Sequence, residues 1–171
     1  WFRYGALFTF LSGIGMLGIQ GAELKQYFFS TPYGLYIWPG ALMGTIMFLN
    51  VWLIIWPNQK ILIANAENVL KGGAANPDAA KAGGKALLAS RTNVLFSIPL
   101  LFFMGASRHL GLGMEMDVSP YTAVGIVTAI ILAIEVNAIK GKLGPLTTVK
   151  GVIHCGLGLL VVLYGLLEAL V

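Results

Sequence analysis

Five apolar stretches, each long enough to cross a lipid bilayer, take up most of this chain: about Tyr4–Ala22, Leu35–Trp56, Asn93–Leu110, Pro120–Ile139 and Gly151–Val171. A spanning helix needs about 20 predominantly apolar residues, and a backbone in hydrocarbon must satisfy its own hydrogen bonds, which a helix does. The fold class expected is therefore all-α: one polytopic transmembrane helix bundle over residues 1–171, with 57–91 as its only sizeable loop. Composition agrees, since 57% of the 171 residues are hydrophobic and 11% charged, against about 45–50% and about 25% in soluble domains. A net charge of +4 does not make this a nucleic-acid binder, because eleven basic residues strung along an apolar chain form no basic face. The partners expected are lipid and other integral membrane subunits.

The basic residues orient the bundle instead. Arg3, Lys60, Lys71, Lys81, Lys85, Arg91, Lys140, Lys142 and Lys150 fall on one side of five alternating spans, and Lys25 and Arg108 on the other. By the positive-inside rule, the Trp1 end, the 57–91 loop and the 140–150 loop face the cytoplasm and Val171 faces outward. Trp1 is not an initiator methionine, so residues upstream, with a further helix or a cleaved leader, are expected. Within the loop, Ile61, Leu62, Val69 and Leu70 mixed with Lys60, Glu67 and Lys71 predict a short interfacial helix, ended by Gly72 and Gly73. Asn76-Pro77-Asp78 then reads as cap, first-turn proline and dipole-matched acid of a second short helix running towards Arg91. Pro99 should kink the third span. Gly13, Gly15 and Gly18, Gly40 with Gly44, and Gly156 with Gly158 predict close helix approaches.

Polar residues at membrane depth are costly and mark candidate sites. Asn50, Asn93, Glu135, Asn137 and His154 come from four spans, yet all belong to the inner third. Glu135 lies about 7–8 Å from the inner end of its helix and His154 about 6 Å, at the α-helical rise. A Glu135–His154 pair supported by Asn50 and Asn137 would satisfy these groups as interhelical glue, or form a proton-handling, quinone or metal site. His109, beside Arg108 at the outer end of the third span and followed by Glu115 and Asp117, is a candidate cofactor ligand or a member of a surface ion-pair cluster. Two histidines at opposite faces cannot ligate one haem. Haem b and copper are the cofactors considered; His154-Cys155 and Met114-Glu115-Met116 are incomplete metal sets. Phosphate-cradling and nucleophile motifs are absent, and a lone Cys155 allows no internal disulfide.

The runs WFRYGALFTFLSGIGML, GALMGTIMFLNVWLIIWPNQ and NPDAAKAGGKALLASRTNVLFSIPLLFFM, with SRHLG behind them, resemble the membrane domain of the bacterial membrane-bound urate hydroxylases, the urate oxidase N-terminal domain family, and its short relatives. The resemblance covers roughly residues 1–110 and is most specific from Gly40 to Gln59. Asn50, Trp56-Pro57-Asn58-Gln59, Arg91, Asn93, Pro99 and His109 match the family's characteristic positions. The resemblance implies a helical membrane fold in a prokaryotic cell membrane. The larger members often carry a C-terminal cytochrome c domain, whereas this chain has no CxxCH, and residues beyond His109 look more like the short relatives. The leading expectation is a small subunit of a membrane oxidoreductase complex, with assembly, quinone-shielding or proton-path roles. A cofactor-bearing oxidase or hydroxylase is the alternative, and a small transporter using Glu135 and His154 the third.

Overall fold

The computed structural model describes residues 1–111 and 119–170, and all of its regular structure is helical. Five helices are long and apolar enough to cross a membrane: Phe2–Leu24, Pro32–Leu70, Ala79–His109, Pro120–Lys140 and Val149–Leu170. In chain order they are α1 (Phe2–Leu24), α2 (Pro32–Leu49) joined through a π-helical segment (Asn50–Ile55) to α3 (Trp56–Leu70), α4 (Ala79–His109), α5 (Pro120–Lys140) and α6 (Val149–Leu170).

Helix α4 is the centre of the bundle and packs against α2, α3, α5 and α6. Its buried residues include Ala82, Ala86, Ala89, Thr92, Phe96, Pro99, Phe103 and Ala106, a repeat of three and four that places them on one helical stripe. Helices α5 and α6 are written the same way, with Ala123, Val127, Ile131, Glu135 and Ala138 buried on α5 and Val152, Gly156, Leu159, Leu163 and Leu167 on α6. Gly156 is required by the crossing of α6 over α4: a Cβ there would lie 2.6 Å from Ile98 Cδ1 and 3.0 Å from the Leu95 carbonyl oxygen.

The other glycines expected to mediate packing behave differently. At Gly40 and Gly44 the nearest atoms to an added Cβ lie at 3.6 and 3.5 Å, ordinary contact distances, and at Gly13, Gly15, Gly18 and Gly158 nothing lies within 4 Å. Small residues permit close approach but do not supply the partner helix. Helix α1 touches the rest mainly at its start, through the Phe10–Phe48 stack at 4.2 Å and Arg3, whose guanidinium lies 4.2 Å from the centroid of the Trp56 ring. The indole N–H of Trp52, beside them, is buried without a partner among the described residues.

Local capping explains the start of α2. Thr31 Oγ1 accepts from the Gly34 amide at 3.1 Å and donates to the Phe28 carbonyl at 2.8 Å, with Pro32 in the first turn. Gly34 is needed because a side chain there would collide with that same carbonyl.

Two expectations about the 57–91 stretch change. The interfacial helix is continuous with the second span, and the helix after Asp78 is continuous with the third. Pro57 should break a helix, since it has no N–H and its ring crowds the carbonyl four residues back. The chain accommodates it with a π register: the Trp56 amide bonds to the Val51 carbonyl, five residues back, and the Asn58 side chain donates to the Ile54 carbonyl at 2.7 Å. The α3–α4 turn is tied by asparagines, with Asn65 Oδ1 accepting from the Asn76 amide at 2.6 Å and Asn76 Oδ1 from the Asp78 amide at 2.9 Å. The cap position of α4 is therefore Asp78, without a side-chain cap bond, and not Asn76: the helix begins at Ala79, and Pro77 and Asp78 lie in the turn before it, which the Asn76 side chain braces.

Candidate functional site

The π-helical segment opens on Asn50, and this residue organises the main polar site. Asn50 is 2% exposed. Its Nδ2 donates to Asn93 Oδ1 on α4 at 2.9 Å and to Glu135 Oε2 on α5 at 3.0 Å. Asn93 Nδ2 donates in turn to the Met47 carbonyl at 3.0 Å, closing a network across three helices. Helical periodicity puts Glu135 there, because it takes the place of an apolar residue in the Ala123, Val127, Ile131 stripe. The π register is a frequent feature of functional sites because it redirects side chains and backbone carbonyls.

Chemically, the site is one carboxyl group held at a single oxygen by a carboxamide, inside the end of the bundle that carries the basic residues. Among the described residues none donates to Glu135 Oε1, which leaves that oxygen for a proton, a water or a ligand donor. A buried carboxyl of this kind holds or releases a proton, or accepts a hydrogen bond from a hydroxyl or N–H of a bound molecule.

Three of the five residues placed at this depth by the sequence therefore meet, and two do not. Asn137 is exposed, and its amide reaches only the Lys142 carbonyl, at 3.4 Å. His154 is also exposed, with Nδ1 at 2.7 Å from the Lys150 carbonyl of its own helix. Each sits two positions from a buried residue, Glu135 or Val152, and two positions along an α-helix is a rotation of about 200°. They face outward, so a Glu135–His154 pair is not formed.

His109 ends α4 at the opposite end of the bundle and is exposed. Beside it, the Arg108 guanidinium lies 4.9 Å from the centroid of the Tyr33 ring. His109 and His154 do not converge, so these two residues do not fit a haem b ligated twice within this chain. Among the described residues, no group of three His, Cys, Asp or Glu is placed to hold a metal ion; Met114, Glu115, Met116 and Asp117 lie outside them.

A second polar site was not anticipated. Tyr36, fully buried on α2, donates its hydroxyl to Glu168 on α6, with the Tyr164 ring stacked 6.2 Å away. Trp38 Nε1 donates to Thr128 Oγ1 at 2.9 Å, tying α2 to α5 nearby. The pairing joins residues 132 positions apart, and the signal available was an acid in the last turns of a span. The α2 residues buried between the two sites are Pro39, Gly40, Met43 and Ile46, so buried apolar side chains separate the polar networks.

These features define a class: an all-helical bundle of five membrane-crossing length helices with an amide-clamped carboxyl buried near its basic end. The chain belongs to the urate oxidase N-terminal family, whose family model matches residues 21–163, from the end of α1 into α6. The match takes in the stretch beyond His109 as well as the Gly40–Gln59 block. No curated protein and no solved structure matches the chain.

Proposed function

We propose that this chain is a small integral membrane subunit of a membrane oxidoreductase complex, oriented with its basic end in the cytoplasm, and that Glu135 exchanges a proton with the chemistry of its partner subunits. The observation that carries the reading is the carboxyl on the buried stripe of α5, held by Asn50 beside Asn93. An acidic residue at the centre of a spanning helix costs about 2.5–3.5 kcal/mol on insertion scales, an upper bound for Glu135, which lies nearer the end of α5. The interhelical hydrogen bond it accepts from Asn50 returns about 0.6 kcal/mol. Glue alone is better made from two carboxamides, so a carboxyl kept there argues for its proton. Membership of a family described by urate oxidase supports the oxidoreductase setting.

Glu135→Gln tests this, because glutamine keeps the size and the acceptor for Asn50. The expected result is an assembled complex whose turnover falls at least tenfold. Unchanged turnover overturns the proton role.

The family match favours one other reading, a membrane oxidase or hydroxylase of the urate hydroxylase type that carries its own haem b or copper. An optical spectrum and metal analysis of the purified chain distinguish it, since a Soret band or stoichiometric copper on this chain alone would favour the enzyme.

A further inference from the structure

Two clefts at the basic end of the bundle share a wall. The first, about 190 Å³, lies between the π-helical segment, α4 and α5, and its apolar lining is Leu53, Ile54, Ala138 and Ile139. The second, about 210 Å³, lies between α3 and α4 and is lined by Ile61, Asp78, Lys81 and Ala82. Asn58 and Lys85 line both, so the two clefts adjoin as the halves of one groove. Its halves differ in character and in depth. Leu53, in the π-helical segment, and Ile139, at the end of α5, are exposed apolar residues, 68% and 53% accessible. Lys81 and Lys85 stand one turn apart on the part of α4 that extends beyond the apolar stretch, and both are exposed.

We infer that this groove binds an anionic phospholipid, with the phosphodiester between Lys81, Lys85 and the Asn58 amide and an acyl chain laid along Leu53 and Ile139. The ordering of the lining matches that of a lipid: cationic and amide groups at headgroup level, hydrocarbon immediately below, with no polar residue in the deeper half apart from the shared wall. Asp78, in the outer half, leaves a net charge of one positive unit from its two lysines, which selects an anionic headgroup over a zwitterionic one. Basic residues at a membrane surface each contribute about 1 kcal/mol of attraction to acidic lipid, roughly fivefold in affinity per lysine. The first cleft also lies one turn from Asn50 and Glu135 along their own helices, so a bound lipid would seal the main polar site from the side.

The test uses the full chain in mild detergent. Thermal stability and native mass spectra are recorded with added phosphatidylglycerol, phosphatidylcholine or glycerol phosphate, for the parent chain, Lys81→Gln/Lys85→Gln and the control Lys142→Gln/Lys150→Gln. Both pairs remove two exposed charges from the same end of the bundle. Phosphatidylglycerol should raise the melting temperature and remain bound in the parent and the control, and its apparent affinity should fall about 25-fold in the groove variant. Equal stabilisation by phosphatidylcholine would overturn the inference. So would an equal loss in the control variant, which would mean diffuse charge, or full stabilisation by glycerol phosphate, which would mean a free anion.

Discussion

Replacing Asn50 by alanine removes the one side chain that joins all three helices of the main polar site. Two hydrogen bonds go with it, those from Nδ2 to Asn93 Oδ1 and to Glu135 Oε2. In membrane bundles such bonds contribute about 0.6 kcal/mol each. The larger loss is that Glu135 Oε2 and Asn93 Oδ1 are left buried without a donor, at about 1–3 kcal/mol for a deserted polar group. For the two deserted groups together this is a destabilisation of about 2–6 kcal/mol, which already contains the two lost bonds. Asn93→Ala leaves the Asn50–Glu135 bond in place and should cost about half as much. The comparison that isolates the geometry is Asn137→Ala and His154→Ala, which face outward and should each stay within about 0.5 kcal/mol of the parent chain. Reversible unfolding in mixed detergent micelles, followed by intrinsic fluorescence, measures all four. A double-mutant cycle between Asn50 and Glu135 should give a coupling of about 0.6–1.7 kcal/mol. Equal effects at Asn50 and Asn137, or a coupling of zero, would refute the network.

Four further outcomes follow from packing and capping. Gly156→Val should destabilise by about 1–3 kcal/mol, because its side chain must displace Ile98 or the Leu95 carbonyl; Gly158→Val, which meets nothing within 4 Å, should be near neutral in the same melt. Gly40→Ala and Gly44→Ala should both be tolerated, as methyl groups there fall at normal contact distance. Tyr36→Phe should cost about 1 kcal/mol by removing the hydroxyl that meets Glu168, read by the same unfolding assay. Thr31→Ala should cost about 1 kcal/mol through the lost cap on α2.

What the sequence made legible was depth. Span positions, the basic asymmetry and the helical rise were enough to bring Asn50, Asn93 and Glu135 to one level. Rotation about the helix axis was harder to read, and it is why Asn137 and His154 leave the site. On α5 it was legible in principle, because Ala123, Val127, Ile131 and Glu135 recur every four residues and Asn137 does not fall in that series. On α6 the lipid-facing and core-facing sides are both aliphatic, so His154 had no contrasting pattern to place it. The second span was ended at Trp56, whereas the helix runs on through Pro57 to Leu70, with the π register and the Asn58 side-chain bond to the Ile54 carbonyl beside the proline. The Tyr36–Glu168 pair joins α2 to α6 near opposite ends of the chain, and periodicity within single helices holds no information about it. The glycines of α1 show the same boundary: Gly13, Gly15 and Gly18 announce a surface without saying what meets it.

The measurement that bears most directly on the proposed role is a native gel of mildly solubilised membranes, with mass spectrometry and an optical spectrum taken on the band holding this chain. A subunit reading predicts a large band with redox-enzyme subunits present and no Soret absorbance assignable to this chain. A band of the chain alone, or one in which it carries its own haem, would contradict it.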